Sequence, residues 1–325
     1  MIARGVGGDN GPALHLGQRQ RHVVVASLNT AWETRFLAPG WRRGSVTRAI
    51  DSSTFPGGKP LNVIRLCISM GVPVELVALA DAGLADQLSS LCTAAGVPVD
   101  LIVSQASSRS TAAIIDERGR ATVLNGEGQT PGADELTRCI RALGERTGPG
   151  DVLVVAGSFP MQVPDGLLSQ LSLLADERKA RFLLDTSGSQ LDAGLRLGPD
   201  IVKVNERELA AVRPTGGPLG WSRDLGALTG PRNLVVTAGR RGLRARDETG
   251  RQWIVRPPTV ESVNTVGVGD ALTAGMAAKL AAGGEFLEAL VTGTAWAAAR
   301  AERFDLAISP ERVADLARRT RVQVA

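Results

Sequence analysis

Six short apolar runs recur along this chain, at His22–Leu28, Val74–Ala80, Asp151–Gly157, Arg181–Thr186, Ile201–Asn205 and Leu234–Ala238. Each is apolar on both faces and too short for an ordinary buried helix, which is the pattern of strands covered on two sides. Between them stand helix-like stretches at Leu61–Met70, Ala85–Ala95, Asp134–Leu143, Pro164–Arg178 and Ala271–Ala282. Strands alternating with helices predict an α/β fold with a mainly parallel central sheet between helical layers. At 325 residues the chain is long enough to bury such a core. Two inserts break the alternation, Trp32–Phe55 and Leu101–Leu124. The second contains the β-type run Thr111–Asp116, a turn at Glu117–Gly119 and a further run Arg120–Leu124. Together they are expected to form a small β-sheet lid over one edge of the large sheet, with plain surface hairpins as the alternative.

Composition removes several classes of function. Net charge is +4, but Lys and Arg are scattered and no basic run carries interleaved aromatics, so a nucleic-acid partner is not favoured. Only His15 and His22 are present, both near the N-terminus, which sets aside a catalytic His or a His-based metal site. Cys67, Cys92 and Cys139 are far apart, lack metal-type spacing and fall in helix-like segments. They are expected to be reduced, buried residues of a cytoplasmic protein. Residues 1–20 are rich in Gly, Gln and Arg, without an apolar run suited to a signal peptide or membrane span. A disordered tail or an upstream start site is expected there, with one domain over 21–325.

The chemistry collects at turns that close the expected strands. In Val263–Met276, Gly267 and Gly269 make a turn that opens into an Ala-rich helix, and Asp270 sits in its first turn. A helix N-terminus attracts phosphate through unpaired N–H groups and its dipole. A carboxylate beside it is repelled by phosphate, yet is placed to take a proton from a hydroxyl attacking phosphorus held there. The plainer alternative is Asp270 as a helix-capping residue. Pro56–Asn62 is a second glycine turn, with Lys59 and Asn62 able to face a ligand, and Gly157–Pro160 brings Ser158 to the same rim. In Lys203–Glu208, Asn205 and Glu208 stand three apart. That spacing suits hydrated Mg²⁺, and equally a capping box. Thr237–Gly242 ends another strand with two glycines that would let a base or ribose approach the backbone.

This ordered set resembles the PfkB family of carbohydrate kinases, within the ribokinase-like superfamily, from about residue 22 to 320. Asn264–Asp270 is similar to the family's signature D/S-T-x-G-A-G-D, and Gly57–Asn62 to G-G-K-G-x-N. The sugar-phosphate branch, 1-phosphofructokinase and tagatose-6-phosphate kinase, is the nearest in look. Support comes from Ser27–Asn29, Thr47–Ala49, Ser108–Ser110, Gly157–Pro160, Leu184–Gly188 and Lys203–Asn205. The resemblance implies a three-layer α/β/α sandwich with a β-lid that pairs two copies into a homodimer. It also implies ATP- and Mg²⁺-dependent phosphorylation of a sugar or sugar phosphate. Asp270 would be the general base, and the amides around Gly267, Val268 and Gly269 the anion hole. Lys203, Asn205, Thr237, Gly239, Gly242 and Thr265 would line the nucleotide site, and Asn205 and Glu208 would hold Mg²⁺ through water. Asn29, Glu33, Gly57, Gly58, Lys59 and Asn62 would face the sugar. Arg109 and Ser158 would hold a phosphate already on it, with Arg48 a further candidate for that charge.

The departures fall mostly on the acceptor side. The first strand runs into Asn29-Thr-Ala-Trp-Glu33 where the branch has N-P-x-x-D, and Pro60 replaces a Gly. Thr111 replaces Asn, Phe159-Pro-Met-Gln162 replaces L-P-P-G, and Val204 and Val268 replace Pro and Ala. Base, anion-hole glycines and the Asn-x-x-Glu pair are kept, a pattern of a working kinase with a shifted acceptor. A kinase of an unphosphorylated sugar, polyol or nucleoside, and a catalytically weak nucleotide-binding relative, remain the alternatives.

Overall fold

Every residue of the strand β1 (Val23–Ser27) is buried, and the large sheet of the molecule is laid out on either side of it. The computed structural model describes residues 20–213, 225–228, 230–263, 265–303 and 305–325. Residues 1–19, where a tail is expected, lie outside it, as does Asn264. After β1 come β2 (Ala31–Leu37), β3 (Asp51–Gly57), α1 (Lys59–Ser69), β4 (Val74–Ala80), α2 (Ala82–Ala95), β5 (Val99–Val103), β6 (Arg109–Ile115), β7 (Ala121–Asn125) and α3 (Ala133–Arg146). The second half adds β8 (Val152–Ala156), α4 (Leu167–Glu177), β9 (Arg181–Asp185), α5 (Gly188–Leu197), β10 (Ile201–Asn205), α6 (Glu206–Val212) and β11 (Asn233–Thr237). It closes with β12 (Leu243–Arg246), β13 (Gln252–Arg256), α7 (Val268–Ala281), α8 (Phe286–Ala301), α9 (Pro310–Arg319) and β14 (Arg321–Val324).

Among the described residues the large sheet has the order β14-β13-β12-β11-β10-β9-β8-β1-β4-β5. From β5 to β11 every pairing is parallel, and β12, β13 and β14 continue antiparallel. Because successive side chains of a strand point to opposite faces, Val23 and Val25 belong to the core on the side of α1, α2, α7, α8 and α9. Val24 and Ala26 belong to the core on the side of α3, α4, α5 and α6. This is a three-layer sandwich with the sheet in the middle. The Ala-rich α7 is buried almost all round and lies close against α8: a Cβ added at Gly275 would come within 2.9 Å of Gly293 Cα. Such contact fixes the helix, and so fixes where its first turn meets the ends of the strands.

The smaller sheet has the order β3-β2-β6-β7. Its register sets Ala31 opposite both Gly57 and Arg109, so the roots of three strands stand side by side. The strand and helix expectations are met to within a few residues at each end. Leu101–Leu124 is an exception at its start, since Val99–Val103 pairs with β4 and belongs to the large sheet. Residue alternation marks a half-buried strand but carries no record of which sheet it joins. The three antiparallel strands at the far edge, and α5, α8 and α9, were not among the expected elements. All three cysteines are buried and unbridged, in α1, α2 and α3.

Candidate active site

The parallel strands end beneath the smaller sheet, and an open cleft of about 1840 Å³ lies between them. Its floor is ionic. Asp185, the last residue of β9, is wholly buried and accepts hydrogen bonds from Lys59 Nζ at 3.0 Å, Lys203 Nζ at 2.8 Å and Thr273 Oγ1 at 2.7 Å. Lys59 opens α1 and also lies 3.6 Å from Glu208 Oε1. Burial by itself would push the Asp185 carboxyl up. The two ammonium groups and the Lys203 and Thr273 hydrogen bonds outweigh it and hold that carboxyl well below the usual carboxylate range. Burial likewise pulls Lys59 down, but Asp185, Glu208 and Asp270 together raise it above the ordinary amine range.

Asp270 stands beside this group with a different balance. It is 6% exposed, and its Oδ2 accepts a hydrogen bond from Asn62 Nδ2 at 2.8 Å. Burial pushes its carboxyl up, Asp185 adds to the effect, and Lys59, Lys203 and Asn62 only partly offset it. Two buried carboxyls therefore have their affinities for protons drawn apart, the arrangement that separates a fixed anion from an acid or base. The turn ahead of Asp270 takes its shape from Gly267, at φ +74°, a left-handed conformation that a side chain would strain. The first intrahelical bond runs from Ala271 N to Gly267 O at 2.9 Å. The amides of Val268, Gly269 and Asp270 thus have no carbonyl of their own helix to bond. A Cβ at Gly269 would lie 3.2 Å from Lys203 Nζ, so that ammonium sits against the same turn. Helix dipole, open amides and cations all favour an anion here.

Asn205 and Glu208 do form a capping box. Asn205 Oδ1 accepts from the amides of Arg207 and Glu208 at 3.0 and 2.9 Å, and Glu208 Oε2 accepts from Asn205 N at 3.0 Å. Both residues also line the cleft, with Thr237, Gly239, Gly242 and Thr265 farther along the same wall. The cap consumes the Asn205 oxygen and one Glu208 oxygen, and leaves Glu208 Oε1 turned toward Lys59.

At the opposite end Glu33, Gly58, Arg109 and Ser158 line the cleft. Arg109, at the root of β6, donates from Nε to Asn29 O at 2.9 Å. Asn29 Nδ2 in turn donates to Ser158 Oγ at 3.1 Å and to the carbonyls of Glu127 and Phe159. Asn29 is therefore a bracket behind Arg109 and Ser158 and does not itself line the cleft. Burial lowers the Arg109 pKa from the ordinary guanidinium value, with Glu33 working against it. Gly57 is buried below the surface, where a Cβ would lie 2.4 Å from that of Glu33 and 2.6 Å from its Oε2, so the glycine leaves room for the Glu33 side chain. Arg48 is exposed in the 38–50 connection and is not among the lining residues. Thr111, Phe159 and Gln162, three of the departures noted in the sequence, do line the cleft. Asp185 and Thr273 were missed as functional residues. The motif Leu184–Gly188 pointed at the first without giving its carboxylate a task, and Thr273 follows Asp270 by three, on the same helix face.

A family model described as "pfkB family carbohydrate kinase" matches residues 21–312. The chain belongs to the pfkB family of carbohydrate kinases. It is 30% identical over 313 residues to the 1-phosphofructokinase of Xanthomonas campestris pv. campestris, covering 91% of this chain and 96% of that protein. The 1-phosphofructokinase of Escherichia coli K12 is 26% identical over 79% of this chain and 83% of its own length. Among solved structures, the Escherichia coli phosphofructokinase-2 in complex with fructose-6-phosphate superimposes with TM-score 0.80 at 24% identity, over 92% of this chain and 99% of that one. An Arabidopsis thaliana ribokinase complexed with ribose and ATP gives 0.68 at 18% identity, over 91% and 99%. These structures share the fold, a ribokinase-like sandwich. As a family member the chain is a carbohydrate kinase. No helix among the described residues is long and apolar enough to cross a membrane.

Proposed function

We propose that this carbohydrate kinase transfers the terminal phosphoryl group of ATP to a hydroxyl of a sugar phosphate. The observation that carries the reading is Asp270, a buried carboxyl pushed above its usual range and bonded to Asn62 in the first turn of a helix with open amides. In this reading the acceptor oxygen attacks the terminal phosphorus, the bond to the bridging oxygen breaks, ADP leaves, and the hydroxyl proton passes to Asp270. The amides of Val268 and Gly269 and the α7 dipole stabilise charge on the transferred group. Thr237, Gly239, Gly242 and Thr265 form the nucleotide wall, and Glu33, Gly58 and Asn62 face the sugar. Arg109 and Ser158 hold the phosphate that the acceptor already carries, a double-donor corner suited to a dianion. The names of the Xanthomonas and Escherichia coli relatives agree with such an acceptor.

A magnesium ion fits this wall only as a hydrated ion. Asn205 is spent on its cap, whereas Glu208 Oε1, 3.6 Å from Lys59 Nζ, keeps a lone pair for a bridging water, and Mg²⁺ keeps waters while riding on substrate phosphates. Bound there it would neutralise charge on the triphosphate. The smaller sheet is read as a lid on a single kinase unit spanning 21–325, and its face turned away from the cleft, where Leu124 is exposed, as the surface that pairs two copies.

The test is an ADP-release screen over fructose 1-phosphate, fructose 6-phosphate, tagatose 6-phosphate, unphosphorylated hexoses and nucleosides, with Asp270→Asn as the blank. Turnover of a sugar phosphate, lost in the blank, is expected. Turnover confined to an unphosphorylated sugar, polyol or nucleoside would replace the acceptor reading. That second reading has its own support, since Glu33, Thr111, Phe159 and Gln162, all altered from the sugar-phosphate branch, line the acceptor end.

A further inference from the structure

We infer that Asp185 is a positioning residue for phosphoryl transfer: it holds the ammonium groups of Lys59 and Lys203, the latter against the first turn of α7, and so keeps both from pairing directly with Asp270. The inference rests on Asp270 as the base. Its geometry is that of a hub. One buried carboxylate takes Lys59 from α1 on Oδ1, and Lys203 from β10 and Thr273 from α7 on Oδ2, at 3.0, 2.8 and 2.7 Å. Three elements that meet at the cleft floor are thereby tied to the end of β9. Thr273 is also one helical step below Asp270, so the tether fixes the helix that carries the base.

The charges on this floor explain why a fixed anion is needed. Facing Asp270 are Lys59 and Asn62 from α1, Asp185 from β9, Lys203 from β10 and Arg300 from α8, with Glu208 of α6 touching Lys59. Without Asp185, the two buried ammonium groups would find Asp270 as their nearest remaining buried carboxylate. They would pair with it, weaken it as a base, and draw Lys203 from its place against Gly269 onto the neighbouring carboxylate. The same loss removes a negative neighbour that helps to hold the Asp270 proton affinity up. Both effects have one sign: Asp270 would stay ionised to lower pH and accept a proton less readily in the transition state.

The full chain is assayed for ADP release with ATP, Mg²⁺ and the best acceptor of the screen above. The variants are Asp185→Asn, Lys203→Met, their double mutant, and Thr273→Val. Asp185→Asn is expected to lower kcat at least 100-fold and to move the acid limb of kcat/KM to lower pH. Any titration of the substrate's own phosphate is common to all variants and cancels in that shift. Thr273→Val keeps the ion pairs and drops one tether, and is expected to lower kcat about fivefold with the same direction of shift. If Asp185 acts through Lys203, the double mutant is no slower than Asp185→Asn, whereas independent roles give multiplied losses. A lower melting temperature with kcat within threefold and an unmoved acid limb in Asp185→Asn overturns the inference. If that variant does not fold, wild-type kcat and acid limb in Thr273→Val do the same. Failure of the base reading is seen separately, as turnover that survives Asp270→Asn.

Discussion

The two ends of the central strands carry ionic groups of opposite character. At the N-terminal end, Asp151 accepts the amides of His22 and Gly148 at 3.0 and 2.8 Å, with His22 Nδ1 at 3.2 Å. His22 Nε2 lies 3.4 Å from Glu75, and Arg146 joins Glu75 at 2.6 Å to Asp100 at 2.5 and 2.8 Å. Each charge is answered from several sides by groups of this chain. At the C-terminal end, Asp185 is saturated in the same manner, but Asp270 beside it is answered incompletely, and the helix amides next to it have no intrahelical partner. A network that closes on itself contributes to stability. One that leaves a carboxyl poised and donors open is spent on a ligand.

The largest expected effect tests that contrast at its open end. Asp270→Asn should reduce kcat by roughly 10² to 10⁴-fold, the usual contribution of a general base, while nucleotide affinity measured by calorimetry stays within a few-fold. Residual activity above about a tenth of wild type would remove Asp270 from the role. The linkage sign is specific. A carboxyl whose folded pKa is raised contributes stability at low pH that is lost as pH rises through that pKa. At neutral pH the variant should accordingly melt no lower than wild type, unlike a change at a closed network. In wild type, kcat/KM should decline on the acid side at a pH above the ordinary carboxylate range.

Arg109→Ala comes next. Losing a guanidinium opposite a substrate dianion costs on the order of 2 kcal/mol or more, or about 30-fold in kcat/KM for the sugar phosphate, with KM for ATP unchanged. The unphosphorylated parent sugar is the control. Equal losses on both would mean that Arg109 does not read a phosphate.

At the closed end, Asp151→Asn turns an NH₂ toward one of two amide donors, and should cost roughly 2 kcal/mol of stability, read as a lower melting temperature. Its kcat should not change. A slowed enzyme of unaltered stability would dissolve the distinction between the two ends.

The smallest expected effect is that of Glu208→Gln. The amide oxygen can still accept from Asn205 N, so the cap should survive with less than about 1 kcal/mol of change. The Mg²⁺ concentration for half-maximal rate should rise several-fold. An unchanged metal requirement with a lower melting temperature would leave Glu208 as a cap alone.

Local pattern was enough for much of this molecule. The six apolar runs, the glycine turn before Asp270 and the Asn205–Glu208 spacing are properties of neighbouring residues, so they could be read before any contact was known. The capping box and the cleft-facing pair turned out to be the same two residues, because one carboxylate oxygen closes the cap and the other is left over. Spacing could not separate those roles, which are set by the direction of individual atoms.

By itself, then, the sequence determined the layered α/β class, the order of the parallel strands' elements along the chain, and the residue types available for phosphoryl transfer. It did so because periodicity and turn chemistry are local. Only the tertiary structure decided that Val99–Val103 joins the large sheet, that Asn29 braces Arg109 from behind, and that Arg48 stands away from the cleft. It also brought Lys59, Lys203 and Thr273, the outermost two 214 positions apart, onto the one buried carboxylate of Asp185. Which charges meet in a dry interior depends on how crossovers stack strands and helices, and there each added neighbour changes what the others can do.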